Sequence, residues 1–216
     1  MECEGVNRMK KLWIILCMLF VFVLWTGCQR QEAAEEKPQQ DIKQKEQEEK
    51  ISTGEELVRE VHENIGAILE KERRIEDIFM GAGLATAPNA PYEPDENGQC
   101  FVPVTDEEVN TLQALRDLTE EVFTPEYAQQ QFYQGAFEGS YPRYREEDGQ
   151  LCIDIGVGGA LDKEWAPDTL DIVKGEGNRI TVTVDYMNYQ SLRRSQIQFV
   201  KTEDGLRIEA MEEVGL

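Results

Sequence analysis

Histidine is almost absent from this chain of 216 residues; His62 stands alone. A Ser-His or Cys-His catalytic pair would have to be assembled around that one imidazole, and it falls in a helix-patterned segment where a surface position is the simpler account. Metal clusters are disfavoured on the same ground, because the five cysteines are scattered along the chain with no Cys/His grouping. The glycine-rich stretch Gly156 to Ala160 carries no lysine and lacks a strand-turn-helix context, so it is not a phosphate loop. Positive charge is also scarce: 22 Lys and Arg face 43 Asp and Glu, a formal net charge of −21. Such a surface disfavours nucleic acid, anionic lipid and anionic wall polymer as direct partners and favours a basic protein. Adjacent carboxylates such as Glu146 and Glu147 are abundant, but glycosidase chemistry needs two carboxyls in opposed environments, which abundance does not supply. The expectation is a protein that is not an enzyme and uses no cofactor and no metal.

A long apolar run is missing as well. Leu12 to Trp25 gives only fourteen residues, where a spanning helix needs about 20 and a signal h-region roughly 7–15. Arg8, Lys10 and Lys11 precede it as an n-region would, and translation from either Met1 or Met9 fits. The stretch Thr26-Gly27-Cys28 resembles a bacterial lipobox, with Trp25 where such boxes usually carry Leu. The resemblance implies that residues 1–27 are a lipoprotein signal peptide and that Cys28 becomes a lipid-modified first residue. It would then sit on the outer face of the cytoplasmic membrane, where two acyl chains anchor durably. Cleavage leaves Cys100 and Cys152 as the remaining thiols, in a compartment that permits a disulfide between them or two small core residues.

Gln29 to Lys50 is dense in Gln, Glu and Lys and nearly free of large apolar residues. It cannot bury enough surface to offset its ordering entropy, and reads as a disordered polar tether with some helical tendency. The remaining residues, 51–216, are enough for one α+β domain and carry 34 acidic against 14 basic residues, a net of −20. Thr53 and Glu56 have capping-box spacing before a helical stripe of Leu57, Val61, Ile65, Ile68, Ile75 and Phe79, flanked by Leu69 and Ile78, with Gly81 as a stop. Glu72 falls on that stripe, which predicts a bend or a turn toward solvent in its last part. Glu93, Asp95, Asn97 and Gly98 resemble the opening of a calcium loop, but Val104 stands where the bidentate Glu belongs. Thr105 and Glu108 form a second capping box before Val109, Leu112, Leu115, Leu118 and Val122. Thr124 then caps a helix with Pro125 at its first position and Gly135 as its stop.

Period-two alternation takes over downstream. Leu151, Ile153, Ile155 and Val157 share one face, after a hairpin turn at "EEDGQ". "TLDIV" reads as a short strand, and "RITVTVDYMNY", "SLRRSQIQFVK" and "LRIEAM" follow as an antiparallel meander. Helices first and strands after predict an α+β fold, with N-terminal helices packed on a curved antiparallel sheet of four to six strands. The order of elements resembles cystatin-like and nuclear-transport-factor-like rolls.

Several stretches carry a further resemblance. "VTDEEVNTLQALRDLTEEVFTPEYAQQQFYQG", "YPRYREEDGQLCIDIG", Trp165 and "QIQFVKTEDGLRIEAM" are together similar to the Gram-positive cell-wall DL-endopeptidase inhibitor family, over about Ile78 to Met211. Cys152 stands where that family commonly has an aromatic, and Leu206 where it often has Trp. The resemblance implies an exported protein that binds a papain-like cell-wall endopeptidase and inhibits it, a non-catalytic regulator of autolysis; the lipid anchor implied by the lipobox is an addition to a family of soluble exported inhibitors. Candidate partner-binding residues are Glu146, Glu147 and Asp148 in "REEDGQ", and Trp165, the only tryptophan after Cys28. Two alternatives stay open: a small-ligand module with a pocket between helix and sheet lined by Phe132, Tyr133, Tyr186 and Tyr189, and an envelope scaffold without a ligand.

Overall fold

The computed structural model describes residues 36–216, with side chains from residue 54, and its compact unit is Ile51–Leu216. The translation start, the signal segment, Cys28 and the tether before Glu36 lie outside the described residues. The first helix, α1, runs Glu36–Met80. It therefore covers the later part of the expected tether, and Thr53 lies inside it instead of capping it. Gln, Glu and Lys propagate a helix well, and the one proline upstream, Pro38, falls in the first turn, where its missing N–H is no loss. Among the described residues no helix is long and apolar enough to cross a membrane.

Leu57, Val61, Ile65, Leu69, Ile75, Ile78 and Phe79 of α1 are buried in one core, and Ile68 is half-buried. The expected bend or turn to solvent at Glu72 does not occur: Glu72 is itself fully buried and the stripe continues through it. Gly81 ends the helix as expected, its N–H and that of Gly83 both donating to the Asp77 carbonyl at 2.9 and 3.0 Å. Gly83 sits at φ +85° against Ile153 Cδ1, so a side chain there would meet both a disfavoured backbone and a collision.

Seven strands form two antiparallel sheets, so the class is α+β as expected, with two sheets in place of one. The smaller sheet contains β1 (Phe101–Pro103), β2 (Tyr144–Glu147) and β3 (Gln150–Asp154), in the order β1-β3-β2. Between β1 and β2 lie α2 (Leu112–Glu120), α3 (Pro125–Ala128), a π-helical turn (Gln129–Tyr133) and α4 (Gln134–Ala136). The cap of α2 is Thr111, whose hydroxyl accepts from Ala114 N at 3.0 Å. Thr105, the expected cap, instead donates its hydroxyl to the Ala85 carbonyl, while Asp106 takes the N–H groups of Glu108 and Val109. Thr124 caps α3 with Pro125 behind it, as the sequence predicts. Gly135 does not stop the chain; the helix ends one residue later, after the π turn has shifted the register.

The hairpin between β2 and β3 turns through Asp148 (φ 52°) and Gly149 (φ 81°). Strand β3 is buried on both faces and ends at Asp154, so the expected continuation of its apolar face through Ile155 and Val157 does not form. Asp154 is the reason. Its carboxylate accepts the N–H groups of Cys100 and Gly156 and the side-chain amide of Gln99, which folds the chain away from the sheet. Cys152 pairs across the sheet with Pro103. Cys100 lies three residues from that position, on the opposite face of the sheet, and both thiols are free and buried.

The larger sheet is a meander, β4-β5-β6-β7, made of β4 (Lys163–Glu176), β5 (Arg179–Asn188), β6 (Ser191–Thr202) and β7 (Gly205–Val214). The short strand expected at "TLDIV" is part of a fourteen-residue strand whose register shifts twice, between Ala166 and Asp171 and between Ile172 and Lys174. Those bulges hide the alternation that would reveal its length. Ile180, Val182, Val184, Ile197, Phe199, Leu206 and Ile208 are buried on the face toward the core. The outer edge of β7 is closed by Val122–Thr124: Ile208 N donates to the Val122 carbonyl at 2.8 Å and Thr124 N to the Ile208 carbonyl at 2.9 Å.

Burial separates two residues that the alternation groups together. Ile153→Ala is expected to cost about 2–5 kcal/mol in urea denaturation, whereas Ile155→Ala, more than a third exposed, should stay within about 0.5 kcal/mol of the parent.

Candidate functional site

One helical turn beyond Leu69, α1 places a carboxylate against the meander. Glu72 Oε1 accepts from Lys163 Nζ at 2.8 Å and Oε2 from Trp165 Nε1 at 2.6 Å. Lys163 Nζ also reaches Glu76 Oε2 at 2.7 Å. The ammonium lies 4.3 Å from the centroid of the Trp165 ring and 5.3 Å from that of Tyr186. Trp165 and Tyr186 are cross-strand partners with ring centroids 4.9 Å apart. Lysine and tryptophan at alternate positions of β4 share a face, so the start of that strand delivers both donors to the same carboxylate.

Burial pushes the Glu72 carboxyl up to about 8, and the charge of Glu76 pushes the same way; the charge and hydrogen bond of Lys163 and the Trp165 indole pull it back. Tyr127 of α3 faces the same group, and burial followed by the charges of Glu72 and Glu76 raises its hydroxyl to about 12. Beside this nest an open groove of about 560 Å³ runs between α1 and β4, lined by Leu69, Glu70, Arg73, Lys163, Trp165 and Pro167 among others. Trp165 is thus half-buried: one edge is fixed by Glu72 and another borders the groove.

The other expected partner residues lie in the smaller sheet. Glu146 Oε1 accepts from Leu112 N at 2.8 Å and so ties the hairpin to the start of α2. Glu147 forms an ion pair with Arg145, whose guanidinium stacks over Phe101 at 3.6 Å from the ring centroid. Asp148 occupies the exposed tip with a positive φ. The structure brings these three together on one hairpin and leaves Trp165 on the other sheet. The four aromatics considered for a shared pocket are dispersed. Phe132 and Tyr133 are core residues of the helical layer, Tyr186 is buried under Trp165, and Tyr189 is an exposed turn residue whose hydroxyl donates to the Ala160 carbonyl.

Among the described residues no group of His, Cys, Asp and Glu gathers as a metal site. The calcium-like stretch is a closed turn, with Asp95 Oδ1 accepting from the N–H groups of Asn97 and Gln99 at 2.8 and 3.1 Å. His62 is exposed on α1. Sequence reasoning missed the Glu72–Lys163–Glu76 cluster, although the carboxylate on an apolar stripe was the signal; the partner sits 91 residues away. No protein-family model and no curated protein matches the chain.

Glu72 gives stability a defined pH slope. Its folded value of about 8 lies above its ordinary 4.5, so the folded state holds a proton that the unfolded state has released. The associated stability is complete below about pH 4.5 and is lost as pH rises through 8. Urea midpoints at pH 5, 7 and 9 should fall more steeply in the parent than in Glu72→Gln, with Lys163, Glu76 and Tyr127 unchanged in both.

Proposed function

We propose that the chain is a lipid-anchored extracytoplasmic protein, held at the outer face of the cytoplasmic membrane through Cys28, that binds papain-like cell-wall DL-endopeptidases and inhibits them without catalysing a reaction. The family resemblance over Ile78 to Met211 motivates the reading. The observation that carries it is the β2–β3 hairpin. Its tip presents Glu147, Asp148 and Gly149 to solvent, while Glu146 and the Arg145–Phe101 stack fix its stem. A tip pre-ordered in this way loses little conformational entropy on entering a cleft. Its acidic charge complements a basic rim and speeds encounter at low salt.

A second reading, a small-ligand module, draws support from the groove beside Trp165 alone, because its proposed aromatic lining is dispersed. Ligand entry there would alter the emission of Trp165, and a silent fluorescence screen would count against it.

Mixing the purified protein with a wall DL-endopeptidase should slow hydrolysis of a stem-peptide substrate. The double change Glu147→Gln and Asp148→Asn, which leaves the Glu146 bond to α2 in place, is expected to weaken inhibition about tenfold, as the loss of a charged contact at an interface does. Undiminished hydrolysis at a large molar excess of the parent protein would sink the inhibitor reading. Equal inhibition by parent and double variant would sink the role of the hairpin.

A further inference from the structure

A second groove, of about 530 Å³, opens where α1 ends. Phe79 and Met80 of α1, Phe132 of the π turn, Gly135 of α4, Tyr141, Arg143 and the loop at Val157 enclose it. We propose that this groove binds the C-terminal carboxylate of a peptide ending in a large apolar residue. The proposal is independent of the hairpin and of the inhibitor reading.

Its rim is apolar in an otherwise strongly acidic domain. Met80, Tyr141 and Val157 expose 54%, 67% and 51% of their surface. Three large apolar side chains left in water around one concavity mark a recognition patch more than a solvation accident. Its base is cationic. Arg143 is only 8% exposed, and its guanidinium donates from Nη1 to the Phe79 carbonyl at 2.9 Å and from Nη2 to the Gly81 carbonyl at 2.7 Å. Nε has no partner. Of the carboxylates in its neighbourhood, Asp154 is held below its usual range, against the cost of burial, by the amides of Cys100, Gly156 and Gln99 and by the charge of Arg143 itself, and Asp77 Oδ1 accepts from Ala82 N–H. Among the described residues Arg143 forms no ion pair. A buried guanidinium whose direct hydrogen-bond acceptors are neutral carbonyls keeps donors for a carboxylate, which gains a charge-assisted hydrogen bond in a medium of low dielectric.

The wall of the groove points the same way. A π turn is a rare helix irregularity frequently found at functional sites, and this one, Gln129–Tyr133, brings Phe132 to the groove. A Cβ built at Gly135 would meet nothing within 4 Å, so the lack of a side chain there keeps the space open without any packing requirement for glycine. One cation beside an apolar wall matches a peptide terminus, whose carboxylate and last side chain leave the same carbon atom. A free anion would face the acidic surface with no apolar contact to offset the repulsion.

Calorimetric titration of the full chain with acetyl-Gly-Phe as the free acid, its C-terminal amide, and acetyl-Phe-Asp-amide tests the assignment. The free acid should bind saturably, and both amides about tenfold or more weaker. Gly135→Leu should abolish binding of the free acid without lowering Tm, because the added side chain has open space and leucine favours the helix more than glycine does. On binding, the NMR resonance of Arg143 Nε–H should shift. Absence of saturation with millimolar free acid would overturn the proposal. Equal affinity for either amide, or undiminished binding by Gly135→Leu, would overturn it as well.

Discussion

The position of the meander depends on one buried carboxylate. Glu72 lies on the apolar stripe of α1, fully buried, where Lys163 and Trp165 meet both of its oxygens and burial raises its carboxyl to about 8. An ionisable group in such surroundings is tolerable when paired and strongly destabilising when its partner is removed. Both donors come from the first residues of β4, an edge strand whose pairing with β5 slips twice along its length. The first four residues of that strand pair in regular register with β5, and the register slips only beyond Ala166; the Glu72 bonds fix this regular start against the helix. The same constraint positions Trp165 at the mouth of the groove.

The opposite edge of the meander is secured by backbone bonds. Val122 and Thr124 pair with Ile208, and Arg207 Nε donates to the Glu120 carbonyl at 2.7 Å, so the end of α2 closes the sheet. An unpaired edge is a template for aggregation, and this one is covered at Ile208. Beyond it, Phe79 stacks on Phe132 at 4.9 Å and packs against Tyr133, Phe137 and Tyr144. The hydroxyl of Tyr144 donates to the Ile78 carbonyl at 2.8 Å. The long helix therefore serves two layers, with its middle against the meander and its C-terminal end against the helical layer and the small sheet.

Much of this was legible in the sequence where the signal is local. The stripe of α1, the stop at Gly81, the cap at Thr124 and the turn at Asp148-Gly149 each rest on residues within a few positions of one another. Local reading failed where another segment competes. Thr105 looked like a cap until Ala85 took its hydroxyl, and Ile155 and Val157 looked like core until Asp154 turned the chain away. The turn at Tyr189 and Gln190 has positive φ at both residues and no glycine to announce it; the clasp of Tyr189 on the loop before β4 holds it. Of the expected partner residues, the three on the hairpin were neighbours in sequence and so were found together.

The sequence by itself determined the α+β class, the acidic character of the domain, the buried stripe and the end of its amphipathic helix and the content of the hairpin tip, because composition and periodicity are properties of the chain alone. Tertiary structure decided the division into two sheets, the burial of Glu72 and the separation of Trp165 from the hairpin. It also left the guanidinium of Arg143 beneath an apolar rim. Each of these depends on pairs of residues tens of positions apart, and whether a polar group is tolerated, paired or left wanting depends on what the fold places against it.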